Sequence, residues 1–342
     1  MRRHEEVAAA VNFERPPGEP KVRTVACLEG VSLERDVPAD QIGEYIRAAG
    51  NLVWVDIEDP GPAELSMLLE EFGFHPLALE DVAKGQQRPK VDEYKSYIFV
   101  VAYGVVPGDD AASVRPIEVD LFVGRNYLVS VHRGRLPALE EAYSRWTRGG
   151  AMLREGVGFL IYTVMDAIID AYFPIIDAIE DDLDEAEEEV FSASRRDNLQ
   201  DLLRLKRTLF QLRRAVYPLR ETFNVFLRRD HPMFSGNAAV YFRDVYDHIL
   251  RILDVLEIQR DVATGVLDAY LTVISNRLNV TMKTLTVVAV TVGIAGCVFG
   301  AWGMNVGGIP FGSAAGGFLA VCGMTAGLIV AILLFSRKRG WL

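Results

Sequence analysis

The chain has 342 residues, enough for two domains of ordinary size, and half of them are hydrophobic. Its 36 basic and 47 acidic side chains leave a formal net charge of −11. That balance excludes a nucleic-acid binder, which needs a basic patch, and it suits cations. The charge is unevenly spread: acids crowd residues 177–189, while from residue 283 onward the only charged side chains are Lys283, Arg337, Lys338 and Arg339. Cys27, Cys297 and Cys322 form no CxxC pair and no zinc spacing, so they read as reduced packing cysteines.

Residues 1–20 are charged and lack an apolar core, which gives a tail and no signal peptide. Residues 21–150 alternate strand-like and helix-like segments and read as an α/β domain with a mixed sheet. Strands are expected over 22–28, 52–57, 97–106, 117–123 and 127–131, and helices over 39–48, 63–72, 76–83 and 137–146. No phosphate-binding G-x-x-x-x-G-K-[ST] loop and no dinucleotide fingerprint occurs there, so an ATP-driven pump is not expected. His4, His75, His132, His231 and His248 are scattered without H-E-x-x-H spacing or a nucleophile–base pair, and no enzyme is expected.

Residues 151–283 read as long cytosolic helices. Two are expected over 153–190 and 194–228, the first with an acidic end and the second basic, which favours an antiparallel hairpin. No proline lies between Pro232 and Pro310, and residues 238–302 read as one helix of roughly 97 Å at 1.5 Å per residue. That exceeds a bilayer, so part of it is expected to stand in the cytosol as a stalk, supported by copies of itself. Steps of seven from Asp261 give Asp268, Ser275, Met282, Ala289 and Gly296, and steps from Gly265 give Thr272, Asn279, Thr286, Gly293 and Gly300. The two rows lie four residues apart and make one stripe. Small residues let membrane helices approach closely. A small and polar stripe also lines a narrow aqueous path, and Asp268 and Asn279 favour that second explanation.

Residues 284–342 read as a two-helix transmembrane domain. Residues 284–302 carry no charge and cover about 28 Å, close to the hydrocarbon thickness. Residues 309–336 also carry none, and the second helix is expected to begin after the glycine-containing stretch 312–317. Lys283 and Arg337-Lys338-Arg339 flank the spans, and the loop near 303–313 has neither Lys nor Arg. The positive-inside rule then places both termini in the cytosol and that loop outside. Gly303-Met304-Asn305 is a polar tripeptide at the outer surface, and by itself it also reads as a helix C-cap glycine with an Asn turn former.

This arrangement resembles the CorA family of divalent-cation channels over nearly the whole chain. Beyond Gly303-Met304-Asn305, the segment Tyr241-Phe242-Arg243-Asp244-Val245-Tyr246-Asp247-His248 is similar to the family's stalk signature, as is Leu267-Asp268-Ala269-Tyr270-Leu271. Gln87-Arg88-Pro89-Lys90 after Leu79-Glu80-Asp81 and the basic cluster before Trp341-Leu342 fit as well. The resemblance implies a funnel-shaped homopentamer in the plasma (inner) membrane, with one pore and Asn305 facing the ion at the outer mouth. It implies a pore lined by Asp268, Asn279, Met282, Leu285, Ala289, Gly293, Gly296 and Gly300, with Met282 and Leu285 as an apolar constriction. It also implies regulation: Asp244 would meet Glu80 and Asp81 of a neighbouring subunit, with Mg²⁺ between the carboxylates holding the pore closed.

Some positions depart from the family pattern. Gly293 and Gly296 stand where better-known members have methionine and threonine, Ile294 replaces a proline, and Trp302 replaces a tyrosine. Residues 306–317 carry no acid. The expected function is Mg²⁺ uptake driven by the membrane potential, with passage of Co²⁺ or Ni²⁺. The alternatives are a proton-coupled Zn²⁺ transporter of the same superfamily and a poorly conducting membrane Mg²⁺ sensor.

Overall fold

The computed structural model describes residues 22–48, 50–108, 113–149, 151–191, 199–227, 238–304 and 316–341. They belong to two compact units, Met1–Val266 and Leu267–Leu342. Among the described residues the first is built on seven strands: β1 (Val22–Leu28), β2 (Ser32–Arg35), β3 (Leu52–Glu58), β4 (Lys90–Glu93), β5 (Tyr97–Pro107), β6 (Val114–Gly124) and β7 (Tyr127–His132). Their order is β2-β1-β3-β7-β6-β5-β4, with β3 and β7 parallel and the other pairs antiparallel, so the sheet is mixed as expected. The central strands β3 and β7 are near-continuous apolar runs because both sheet faces are covered. Edge strands β2 and β4 read SLER and KVDE; charge blunts an edge against mispairing and also removes the apolar alternation that marks a strand in sequence.

Strand residues two apart share a face. One face presents Val53, Val55, Ile57, Phe99, Val101, Phe122, Val129 and Val131. It packs on α1 (Ile42–Arg47), α2 (Pro62–Phe72) and α3 (Pro76–Lys84) through Ile42, Leu68 and Ala78. Helix α2 ends at Gly73, whose left-handed φ of 64° turns Phe74 back to stack on Phe122 at 4.0 Å. The opposite face meets α4 (Pro137–Thr147) and α5 (Val157–Asp170), where Trp54 lies 5.8 Å from Tyr143 and Gly104 faces Leu136.

That second face carries a buried polar network. Asp56 accepts from Arg23 Nη2 at 2.6 Å and from Ser130 Oγ at 2.6 Å, and Ser130 in turn accepts from Trp54 Nε1 at 3.0 Å. His132 Nε2 lies 3.4 Å from Asp56 Oδ1, and its Nδ1 is 2.7 Å from Gly134 O. Burial alone would raise the Asp56 pKa, but His132, Arg23 and Ser130 together hold it down at about 2.

Each of the two helices expected over 153–190 and 194–228 is broken by a proline. The first is α5 followed by α6 (Tyr172–Phe191), with Pro174 placed where it removes the bond to the Asp170 carbonyl and crowds it. The second is α7 (Leu199–Val216) followed by α8 (Leu219–Phe226), interrupted at Tyr217-Pro218. Helix α9 (Ala238–Trp302) runs 65 residues without a break, as the absence of proline predicts. In the first unit it buries Phe242, Val245, Ile249, Ile252 and Leu256, spaced three and four residues apart, with Phe242 against Phe226 at 5.4 Å. In the second unit α9 continues with α10 (Gly317–Lys338), and Trp302 meets Phe318 at 6.1 Å.

Among the described residues, three stretches are long and apolar enough to cross a membrane: Val157–Val190, Ala238–Trp302 and Gly317–Lys338. Their most apolar windows are 72%, 6% and 11% buried. The first therefore spends its apolar surface on the protein core, while α9 and α10 leave theirs for lipid or for other copies.

Candidate metal-ion sites

In the second unit the expected pore residues share one side of α9. At about 100° per residue, Asp268, Asn279, Met282, Leu285, Ala289, Gly293, Gly296 and Gly300 fall within an arc of about 120°. All are exposed, Met282 and Leu285 at 59% each. A Cβ added at Gly293, Gly296 or Gly300 would meet nothing within 4 Å, so these glycines serve no packing within the chain. Thr272 and Thr286, in the same stripe, donate their hydroxyl protons to the carbonyls of Asp268 at 2.9 Å and Met282 at 2.8 Å. Their oxygens then offer only lone pairs outward, which favours cations over anions.

The helix reaches Gly303, whose N–H still bonds Phe299 O at 3.0 Å, and Met304 N bonds Ala301 O at 3.4 Å. Gly303 does not have a positive φ, so it is not a left-handed cap. An added Cβ would lie 3.2 Å from Phe299 O, and this close carbonyl approach is what glycine permits. Asn305 lies outside the described residues.

In the first unit Asp166, Asp170 and His248 bring one ligand atom each within 4.8 Å of one another. Asp166 and Asp170 are one turn apart on α5 and face the same way, while His248 comes from α9. His248 Nδ1 is buried and 3.3 Å from Asp170 Oδ1, yet it has no hydrogen bond among the described residues. Arg145 of α4 donates to Asp166 at 2.7 Å and stands 3.7 Å from Asp170. Burial and the neighbouring Asp170 push the Asp166 carboxyl up, against the pull of Arg145. Two carboxylates and an imidazole nitrogen without a proton partner fit a divalent ion, with the imidazole favouring Co²⁺, Ni²⁺ or Zn²⁺. The sequence reading missed this set. The available signals were the Asp166-x-x-x-Asp170 spacing in an otherwise apolar helix and His248 one turn after Asp244.

Of the expected regulatory residues, Asp244 is exposed on α9 and close enough to Tyr162 to help raise its phenol, chiefly through burial and Asp166, to about 12. Glu80 is exposed and paired with Lys84, and Asp81 is 2.8 Å from Lys90. Among the described residues of one chain neither is a partner of Asp244.

An α/β unit with an acidic metal-type cluster, followed by two apolar helices left open to lipid, defines an integral membrane protein that handles cations. The chain belongs to the CorA-like Mg²⁺ transporter family, whose model matches residues 49–338; members are divalent-metal transporters and not enzymes. It is 33% identical over 288 residues to the YfjQ protein of Bacillus subtilis, covering 84% of this chain and 89% of that one. It is 30% identical over 298 residues to the cobalt/magnesium transport protein CorA of Thermotoga maritima, covering 86% of this chain and 85% of that one. The complete structure of the CorA magnesium transporter from Methanocaldococcus jannaschii superposes with a TM-score of 0.79 at 22% identity, over 93% of this chain and 98% of that one.

Proposed function

We propose that the protein is a Mg²⁺ uptake channel, driven by the membrane potential and also passing Co²⁺ or Ni²⁺. The observation that carries this is the exposed stripe of α9, from Asp268 to Gly300, where a Cβ added at Gly293, Gly296 or Gly300 would meet nothing and the threonine oxygens present only lone pairs outward. Five copies placing this stripe inward would enclose one path ending at Gly303, Met304 and Asn305. Mg²⁺ sheds water reluctantly. A ring of Asn305 amides would hydrogen-bond its hydration shell without stripping it, and neutral oxygens release the ion more readily than carboxylates. Met282 and Leu285 would close the path by dewetting. A divalent ion crossing 100 mV gains about 4.6 kcal/mol, twice about 2.3 per charge, so a gradient of roughly three powers of ten needs no chemical fuel.

The basic residues Lys283, Arg337, Lys338 and Arg339 support an inner-membrane topology with both termini in the cytosol. Cytosolic Mg²⁺ would hold the channel closed through Asp244 with Glu80 and Asp81 of a neighbour, and through the Asp166, Asp170 and His248 cluster. Because Lys84 and Lys90 already engage Glu80 and Asp81, an arriving cation must displace or share these pairs, at a small cost each.

Influx of Mg²⁺, Co²⁺ and Zn²⁺ into liposomes containing the wild type and Asn305→Ala tests the reading. Mg²⁺ entry that grows with inside-negative potential and falls at least tenfold in Asn305→Ala is expected. Failure of both proteins to pass any divalent ion would overturn it in favour of a sensor. The imidazole in the acidic cluster supports a second reading, Zn²⁺ transport, which prevails if Zn²⁺ enters only with a pH gradient and Mg²⁺ does not.

A further inference from the structure

Strand β6 carries Glu118 and Asp120 on the same face as Phe122, which belongs to the core beneath α2 and α3. Asp120 thus occupies a core position, opposite Val101 of β5 and Val131 of β7, and is only 5% exposed. It lines a cavity of about 290 Å³ together with Glu118 and Tyr103, and with the basic residues Arg115, His132 and Arg133.

The bonding around this cavity is incomplete. Glu118 Oε2 accepts from Gln87 N at 2.9 Å and from Tyr103 OH at 2.9 Å, but its Oε1 is buried without a partner. Asp120 Oδ1 is likewise buried without a partner. The cations nearby are committed elsewhere. Arg133 Nη2 donates to the carbonyls of Val82 and Ala83 at the end of α3, and Lys90 is held by Asp81 at 2.8 Å and Asp92 at 2.7 Å. Two buried carboxylate oxygens without partners are costly unless a proton or a cation joins them.

We propose that Glu118 and Asp120 hold a hard divalent cation such as Mg²⁺ in this cavity, at a site separate from the α9 stripe and from the Asp166 cluster. The donors are all oxygens, which suits Mg²⁺ over softer ions. Mg²⁺ bound by one or two carboxylates keeps most of its water. At about 30 Å³ per water, four or five waters take about 150 Å³ and fit the space. The bound ion ties β6 to the Gly85–Pro89 segment, which Glu118 already grips through Gln87 N and which leads back to Glu80 and Asp81. In the absence of metal, burial and Glu118 hold the Asp120 pKa at about 8, against Arg133 and Lys90 and with some help from Asp81. A cation must then displace that proton.

The test uses the full-length protein in detergent, stripped of metal, with Asp166→Asn, Asp170→Asn and His248→Ala as background. Mn²⁺ serves as the probe, counted from the loss of its free six-line paramagnetic resonance signal. Adding Asp120→Asn should remove one bound Mn²⁺ per chain and reduce the rise in Tm given by Mg²⁺. If Asp120→Asn does not fold, Glu118→Gln in the same background gives the same readout. An unchanged Mn²⁺ count in the folded variant overturns the proposal. Because the readout is binding, its failure is separate from failure of the channel reading.

Discussion

Replacing Asp56 with Asn tests the electrostatics of the sheet. The carboxylate pKa falls from 3.8 in an open chain to about 2 in the fold. At about 1.4 kcal/mol per tenfold this is about 2.5 kcal/mol of stability at neutral pH. Because the folded value is depressed, that contribution is complete above about pH 4 and is lost as pH falls toward 2. His132 has the opposite sign. Its pKa is raised above 6.5, because the Asp56 contacts outweigh burial, so its share is complete below 6.5 and fades as pH rises through the folded value. Asp56→Asn also leaves the Arg23 guanidinium without its 2.6 Å partner, which brings the expected loss at pH 6 to about 3–5 kcal/mol. Thermal melting of the wild type and Asp56→Asn in detergent between pH 2.5 and 8 measures it. The gap should be widest near pH 5–6 and close as pH approaches 2.5. A gap of the same size at pH 3 and pH 6 would show that Asp56 contributes by shape alone and refute the charge argument.

Met282→Asn with Leu285→Ser wets the apolar step in the proposed path and should raise liposomal Mg²⁺ flux severalfold at closing internal Mg²⁺; unchanged flux would remove that step from the gate. Asp166→Asn and His248→Ala should each weaken Co²⁺ binding at least tenfold by equilibrium dialysis. If affinity holds, the cluster is only an ion-pair network around Arg145. Gly104→Ala places a Cβ 2.7 Å from both methyls of buried Leu136 and should cost about 1–3 kcal/mol by melting; a neutral result would mean that Leu136 moves aside freely.

Much of the architecture was legible because its signals are local. Residues 97–106 and 127–131 alternate or run apolar, and β5 and β7 appear there with one residue added at the end of each. The gap between Pro232 and Pro310 anticipated all of α9. The prolines Pro174 and Pro218 were equally visible, but the surrounding helical periodicity masked the breaks they impose. Of Gly303-Met304-Asn305, the structure describes Gly303 and Met304 and shows that the glycine permits a close carbonyl approach without a positive φ.

By itself the sequence determined the two uncharged spans, the long proline-free helix and its small and polar stripe, because charge, length and period belong to a single segment. Only the tertiary structure decided which apolar helix faces the core: Val157–Val190 is apolar enough for a membrane, yet it is 72% buried by its own protein. Tertiary packing also brought His248 of α9 to Asp166 and Asp170 of α5, and set Asp120 among valines with an unpartnered oxygen. Periodicity tells which side of an element is buried. It does not tell which residues of another element lie opposite, and that pairing is what assembles a candidate ligand set.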